Sequence, residues 1–259
     1  MAEQILKNVK IYFGGQSLGG SLNTAQVTYN SELKDKTVFG SSCRKRVAGL
    51  PSVDFTASGF WDASTGDHPA GSTGVFKPDD YLFDEIGSSA EVLTIIPNGT
   101  ALGNRAFFTE SAVGEYSPAG QIGELFGFSF VATGDGVALI RGTLMEAGSL
   151  STTITGTGRN LGIPTSTQRL YAALHVEAVS SSGATLRAEV ITDSSSAFGS
   201  ATVSTALIIP STAVNDTRVG TGHWATTAGT TTNTWFKVMC LSSSGTTPSF
   251  TGNVCLGLY

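Results

Sequence analysis

At 259 residues the chain is long enough to bury one large β core or two of ordinary size; 40% of it is hydrophobic and only 14% is charged. Thirty-two glycines among abundant Ser, Thr and Ala disfavour long helices and point to many short strands. A net charge of -5 leaves no electrostatic footprint for a nucleic-acid binder, and no apolar run approaches the ~20 residues of a membrane-spanning helix.

Near the start, NVKIYF sets Val9, Ile11 and Phe13 on one face at period two, the pattern of a strand. GGQSLGG follows and contains G-x-S-x-G, the written form of a nucleophile elbow around Ser17. An elbow needs a long helix directly after the serine. Here the next pattern, TAQVTYN, again alternates with period two, so a hairpin loop between strands is the expectation. The three histidines, His68, His175 and His223, stand at no spacing that makes one of them the base for Ser17.

SELKDKTVFGSSCRKRVAGLPS is polar and loosely patterned, with Arg44, Lys45 and Arg46 in a row; VDFTASGFW then alternates as a strong strand. Residues 62 to 78 carry no pattern at all, and a loop of that length inside a compact domain is usually functional or disordered. PDDYLFDEIG predicts the one helix: Pro78 suits its first turn, Asp79 and Asp80 its positive end, and Leu82, Phe83 and Ile86 form an apolar face ended by Gly87. EVLTIIP, RAFFTES, ELFGFSFVATG and VALIRGTLM read as strands. The third carries apolar groups on both faces and is expected to be covered on both.

A Gly/Ser/Thr-rich connection follows, and then RLYAALHVEAV, ATLRAEVIT, VSTALIIP, WFKVMCLSS and FTGNVCLGLY read as strands separated by turn signals, the rhythm of a small sandwich. Through residue 150 there are 16 acids and 10 bases; after it only nine charges remain, nearly balanced. Both changes place a boundary, giving domains at 1–148 and 168–259 with a linker at 149–167.

Weighed as chemistry, the motifs give little. GTGRNLG lacks the spacing and the helix of a dinucleotide loop, and ATGDG and TGDH lack the alternating carboxylates of a calcium loop. Cys43, Cys240 and Cys255 fit neither a disulfide framework nor a zinc site. Asn98 and Asn215 match the glycosylation pattern without a secretory signal. Trp224 and Trp235 could stack on sugar rings or fill a sandwich core. No catalytic residue, metal ligand or cofactor is expected.

Taken together, TAQVTYNSELKDKTVFGSSCRKRVAGLPSVDFTASGFWDA, the helix PDDYLFDEIG and SPAGQIGELFGFSFVATGDG resemble the siphophage major tail tube protein family. The carrying features are the Asp35–Gly40 turn, the basic residues after it, Gly49-Leu50-Pro51 and the strand ending Ser58-Gly59-Phe60-Trp61-Asp62. The C-terminal part is similar to β-sandwich extensions of some phage tail proteins. The resemblance implies an all-β fold, a tail-tube-like β-barrel or sandwich with one short helix followed by a second small β-sandwich. It further implies a virion structural protein, not an enzyme, whose copies form stacked rings, usually hexameric, that conduct DNA. Its partners would be further copies of itself, tape measure, tail terminator and tip proteins, and genomic DNA passing without sequence-specific contact.

Residues 30 to 52 and 62 to 78 are then the candidates for contact between rings. Arg44, Lys45 and Arg46 are expected to meet acids of a neighbouring subunit, with Asp79, Asp80, Asp84 and Glu85 as candidates. Two other readings stay open: a carbohydrate- or receptor-binding module of a virion fibre, and a capsid decoration protein.

Overall fold

The computed structural model describes residues 8–14, 16–61, 78–150, 157–179, 184–199, 204–214, 221–228, 231–242 and 250–259. In chain order the elements are β1 (Lys10–Phe13), β2 (Gln16–Ser17), β3 (Leu22–Asp35), β4 (Arg46–Phe60), α1 (Pro78–Asp84), β5 (Glu91–Ile96), β6 (Arg105–Ala119), β7 (Gly127–Gly134) and β8 (Ile140–Leu150). They continue as β9 (Arg159–Asn160), β10 (Arg169–Val179), β11 (Ala184–Asp193), β12 (Ser204–Val214), β13 (Thr221–Ala228), β14 (Trp235–Ser242) and β15 (Phe250–Leu258). The fold is all-β with one short helix, and every strand pair is antiparallel.

Side-chain alternation divides the interior into three clusters. The first is aromatic. Ile11 and Phe13 of β1, Phe55 and Ala57 of β4, Leu93 of β5 and Phe128, Phe130 and Ala132 of β7 turn inward, and Tyr81 and Leu82 of α1 cap them. Phe55 and Phe130 meet with ring centroids 5.4 Å apart. The second lies between β8, β10 and β15 on one side and β11, β12 and β14 on the other, as a β-sandwich. The third, with Tyr12, Phe108, Ile140, Ala173 and Cys255, draws on both halves of the chain.

Composition marks the change at 149–167, yet strand pairing runs across it. β15 pairs with β8 on one edge and β10 on the other, so a single 11-stranded sheet includes strands from both halves. β9 lies inside the expected linker and adds to the edge of β14.

Three local expectations change. The segment read as loosely patterned is a long hairpin: Leu33 faces Ala48, Lys34 faces Val47 and Asp35 faces Arg46, leaving a turn at 36–45 in which Gly40 has φ 86°. Its residues are solvent-exposed on both faces, so burial imposed no alternation there. The helix buries Tyr81 and Leu82, while Phe83 is 67% and Ile86 45% exposed, because its seven residues make too few turns for a full stripe. β13 escapes the sequence reading because TGHWATTA reads as turn-rich. Residues 62–77, with His68, lie outside the described residues, as does Asn215.

Where β15 crosses β10, the sheet needs bare backbone. A Cβ on Gly252 would run into the His175 carbonyl oxygen. Neither carbonyl nor strand can yield without breaking the ladder, so Gly252→Ala should cost about 1–3 kcal/mol. Calorimetry of the variant should then show a melting temperature several degrees lower, at roughly 2–4 °C per kcal/mol for a chain of this size.

Candidate assembly surfaces

The GGQSLGG stretch carries β2, which pairs antiparallel with β1. Tyr12 faces Ser17 and Phe13 faces Gln16 across the β1–β2 turn, and Gly14 supplies φ 57°. No helix follows Ser17; Leu18 is buried and the chain turns into β3. The elbow reading therefore has no structural basis. His175 is fully buried, and its Nδ1–H donates to the Gly14 carbonyl, which can only accept. Nε2 of the neutral ring then accepts from the Thr94 hydroxyl at 2.7 Å. This histidine is an internal tie between β10, the β1–β2 turn and β5.

Trp224 is half-buried and packs against the third cluster, 5.6 Å from the Phe108 ring and 5.5 Å from Tyr171, which favours the packing reading of this residue over sugar stacking. The three cysteines are unbridged, Cys43 exposed and the other two buried. Among the described residues no group of His, Cys, Asp and Glu gathers to hold a metal.

The surface of the described residues also carries open strand edges, a projecting arm and a cleft. β3, β4, β7 and β6 form one antiparallel four-stranded unit of the large sheet. β3 pairs only with β4, so its outer edge is open among the described residues. β6 pairs with β5 at 107–111, opposite the side that takes β8 and then β7. Past residue 111 the β5 side of β6 carries, among the described residues, only the bridge between Ile86 and Val113.

The solvent face of this unit is polar. Thr24, Gln26, Thr28, Asp54, Thr56, Ser58, Ser129, Thr133, Glu115 and Ser117 alternate with the buried aromatics, and no lysine or arginine stands among them. Beyond it β3 and β4 project as the arm, with exposed Leu33, Val47 and Leu50 and, at its turn, Val38 and a fully exposed Phe39. Arg44, Lys45 and Arg46 sit at this tip, exposed and without an ion pair among the described residues.

The acids expected to meet them are on α1. Asp79 accepts a hydrogen bond from the Tyr116 hydroxyl of its own chain, Asp84 is exposed, and Glu85 accepts one from Ser88. The Asp80 side chain lies outside the described residues. No ion pair joins tip and helix within the described residues of one chain.

A cleft of about 660 Å³ lies between β3, β6, β8, β15 and the residues following β9. It was not foreseen, since Arg105 and Arg141 become neighbours only through the β6–β8 register.

No protein-family model and no curated protein matches the chain. Among solved structures it is similar to one from the virion of a native gene transfer agent particle, with 16% identity over 53% of this chain and 98% of that chain, TM-score 0.40. It is also similar to the Dit protein (gp 19.1) of phage SPP1, with 10% identity over 98% and 100% of the two chains, TM-score 0.38. A third is from the phage p2 baseplate in its activated conformation, with 11% identity over 96% and 98%, TM-score 0.33.

Around the helix the charges are crowded. Burial, reinforced by Glu85, pushes the Glu91 carboxyl from its ordinary 4.5 up to about 7, and burial followed by the Glu91 charge pushes the Tyr81 hydroxyl up. A carboxyl raised on folding stabilises fully below its unfolded value and loses that contribution as pH rises through the folded one. Thermal stability should fall from pH 4.5 to 7 on account of Glu91. Glu91→Gln should flatten that part of a melting-temperature profile.

Proposed function

We propose that this chain is a structural subunit of a virion tail whose copies close head-to-tail into rings that stack as a conduit for DNA. One observation carries the reading: among the described residues the four-stranded unit β3–β4–β7–β6 has two outer edges running in opposite directions, that of β3 open and that of β6 open past residue 111 save for the Ile86–Val113 bridge. Placing β3 of one copy beside β6 of the next continues the antiparallel order without a break. Repeated by rotation, that contact closes a circular sheet and abolishes the edges that would otherwise recruit partners at random. The resemblance of residues 24–63 to tail tube proteins supports the same arrangement, and a sixfold ring is the expectation it brings.

The polar face of the unit then lines the channel. With Asp54 and Glu115 as its charges and no cation, it offers phosphates nothing to displace counterions with, so DNA can pass without adhering. The arm, apolar and basic at its tip, is placed to reach the next ring, with 62–78 as the second contact. We keep 1–148 as the ring-forming domain and 168–259 as a sandwich fused to it through the shared sheet. Tape measure, terminator and tip proteins are the partners this role entails.

Electron microscopy of the purified chain should show closed rings and stacks. Ala25→Pro and Gln26→Pro, tested separately, remove adjacent β3 amides, of which one points away from β4. That variant should stay folded by circular dichroism yet form no rings; rings from both variants would refute edge closure. A second check concerns the channel: Thr56→Lys with Ser129→Lys should leave rings intact and give them salt-sensitive DNA binding that the unaltered rings lack.

A further inference from the structure

We infer that the Arg105–Arg141 cleft is the lateral seat of a second copy's helix α1, an inference that rests on the ring closure proposed above. Arg105 faces Thr143 and Phe107 faces Arg141 across β6 and β8, which sets the two guanidinium side chains as diagonal neighbours on one face. Both line the cleft, and neither has an ion pair among the described residues of a chain that carries more acids than bases. Phe107, Leu139 and Leu258 give the cleft apolar walls, and Tyr29 of β3, hydrogen-bonded to the Tyr259 hydroxyl at 2.7 Å, closes its side. Two like charges placed together beside apolar walls suit an occupant that is acidic and apolar at once.

The end of α1 has that composition. Phe83 and Ile86, at and just past its end, are exposed, and Asp84 and Glu85 stand between them in the sequence. The sheet register brings the two surfaces to one level. Thr28 faces Asp54, Asp54 faces Thr133, and Thr133 faces Ala112. A closure that continues this row brings Ala112 of one copy level with Thr28 of the next, and Val113, with the chain bridged to its outer edge, level with Tyr29. Val113 is bridged to Ile86, so the helix end arrives with it at the side of the cleft that Tyr29 lines. Asp84 and Glu85 then meet Arg105 and Arg141, while Phe83 and Ile86 enter against the apolar walls. This assigns Asp84 and Glu85 to a lateral contact within a ring and leaves the basic arm tip for a contact between rings.

The test is a charge-exchange series read as the protein concentration at which rings appear, by native mass spectrometry and microscopy. Arg105→Glu with Arg141→Glu should raise that concentration at least tenfold, as should Asp84→Lys with Glu85→Lys. Joining all four changes in one chain should recover most of the loss, and added salt should weaken the unaltered ring more than Arg105→Ala with Arg141→Ala, whose melting curve controls for folding. Unchanged rings from the arginine-reversed chain would overturn the seat while leaving edge closure standing. Loss on both sides without recovery in the combined chain would overturn the pairing. An unaltered chain that forms no rings at any concentration would overturn ring closure itself and the seat with it.

Discussion

The pairing of β15 with β8 holds the molecule in one piece, and the rest depends on it. It runs from Phe250 against Leu150 to Gly257 against Gly142 and inserts the last strand of the chain beside the last strand of its first half. Because β10 lies on the other edge of β15, His175 is carried to the β1–β2 turn, where it is buried between the Gly14 carbonyl and the Thr94 hydroxyl. A buried imidazole with both nitrogens satisfied avoids the desolvation penalty that an unpaired ring would suffer. Withdraw the strand and the histidine, the third hydrophobic cluster and the floor of the arginine cleft are lost together.

Joining the halves through backbone has a further effect. Bare glycines at 142, 252 and 257 let neighbouring strands approach where any side chain would collide. From the sheet so joined β3 and β4 run out, past the last buried position at Val53, as an arm. An arm that exposes Phe39, Leu33 and Leu50 is unfavourable in an isolated subunit, as are two open edges on one sheet. In the assembly proposed above, other copies of the same chain would remove these liabilities in different directions: the edges around a ring, the arm along its axis.

Much of the local structure was legible in the sequence. Period-two alternation located β1 and β4, because one face of each lies in a dry interior and the pattern follows burial, while apolar runs between turn signals located β5, β7, β10 and β11. It failed in the arm for the same reason, since a hairpin exposed on both faces is under no such pressure, and β3 and β4 therefore run further than their apolar residues show. It failed again at α1, where Tyr81 lies over Gly14 and takes the buried position that Phe83 was expected to hold. The candidate site was legible only in part. The basic tip and the acidic helix can be read as charge runs, but the open edges and the arginine pair cannot.

By itself, then, the sequence determined the all-β class, the single helix, the absence of an elbow at Ser17 and the change in composition after residue 148. These follow from rotamer, turn and burial preferences that act over a few neighbouring residues. Only the tertiary structure decided that both halves share a sheet, which two edges stay open, and that Arg105 and Arg141 stand together. Those depend on strand register, which is set by the fit of whole faces against one another and by where glycine lets backbones meet.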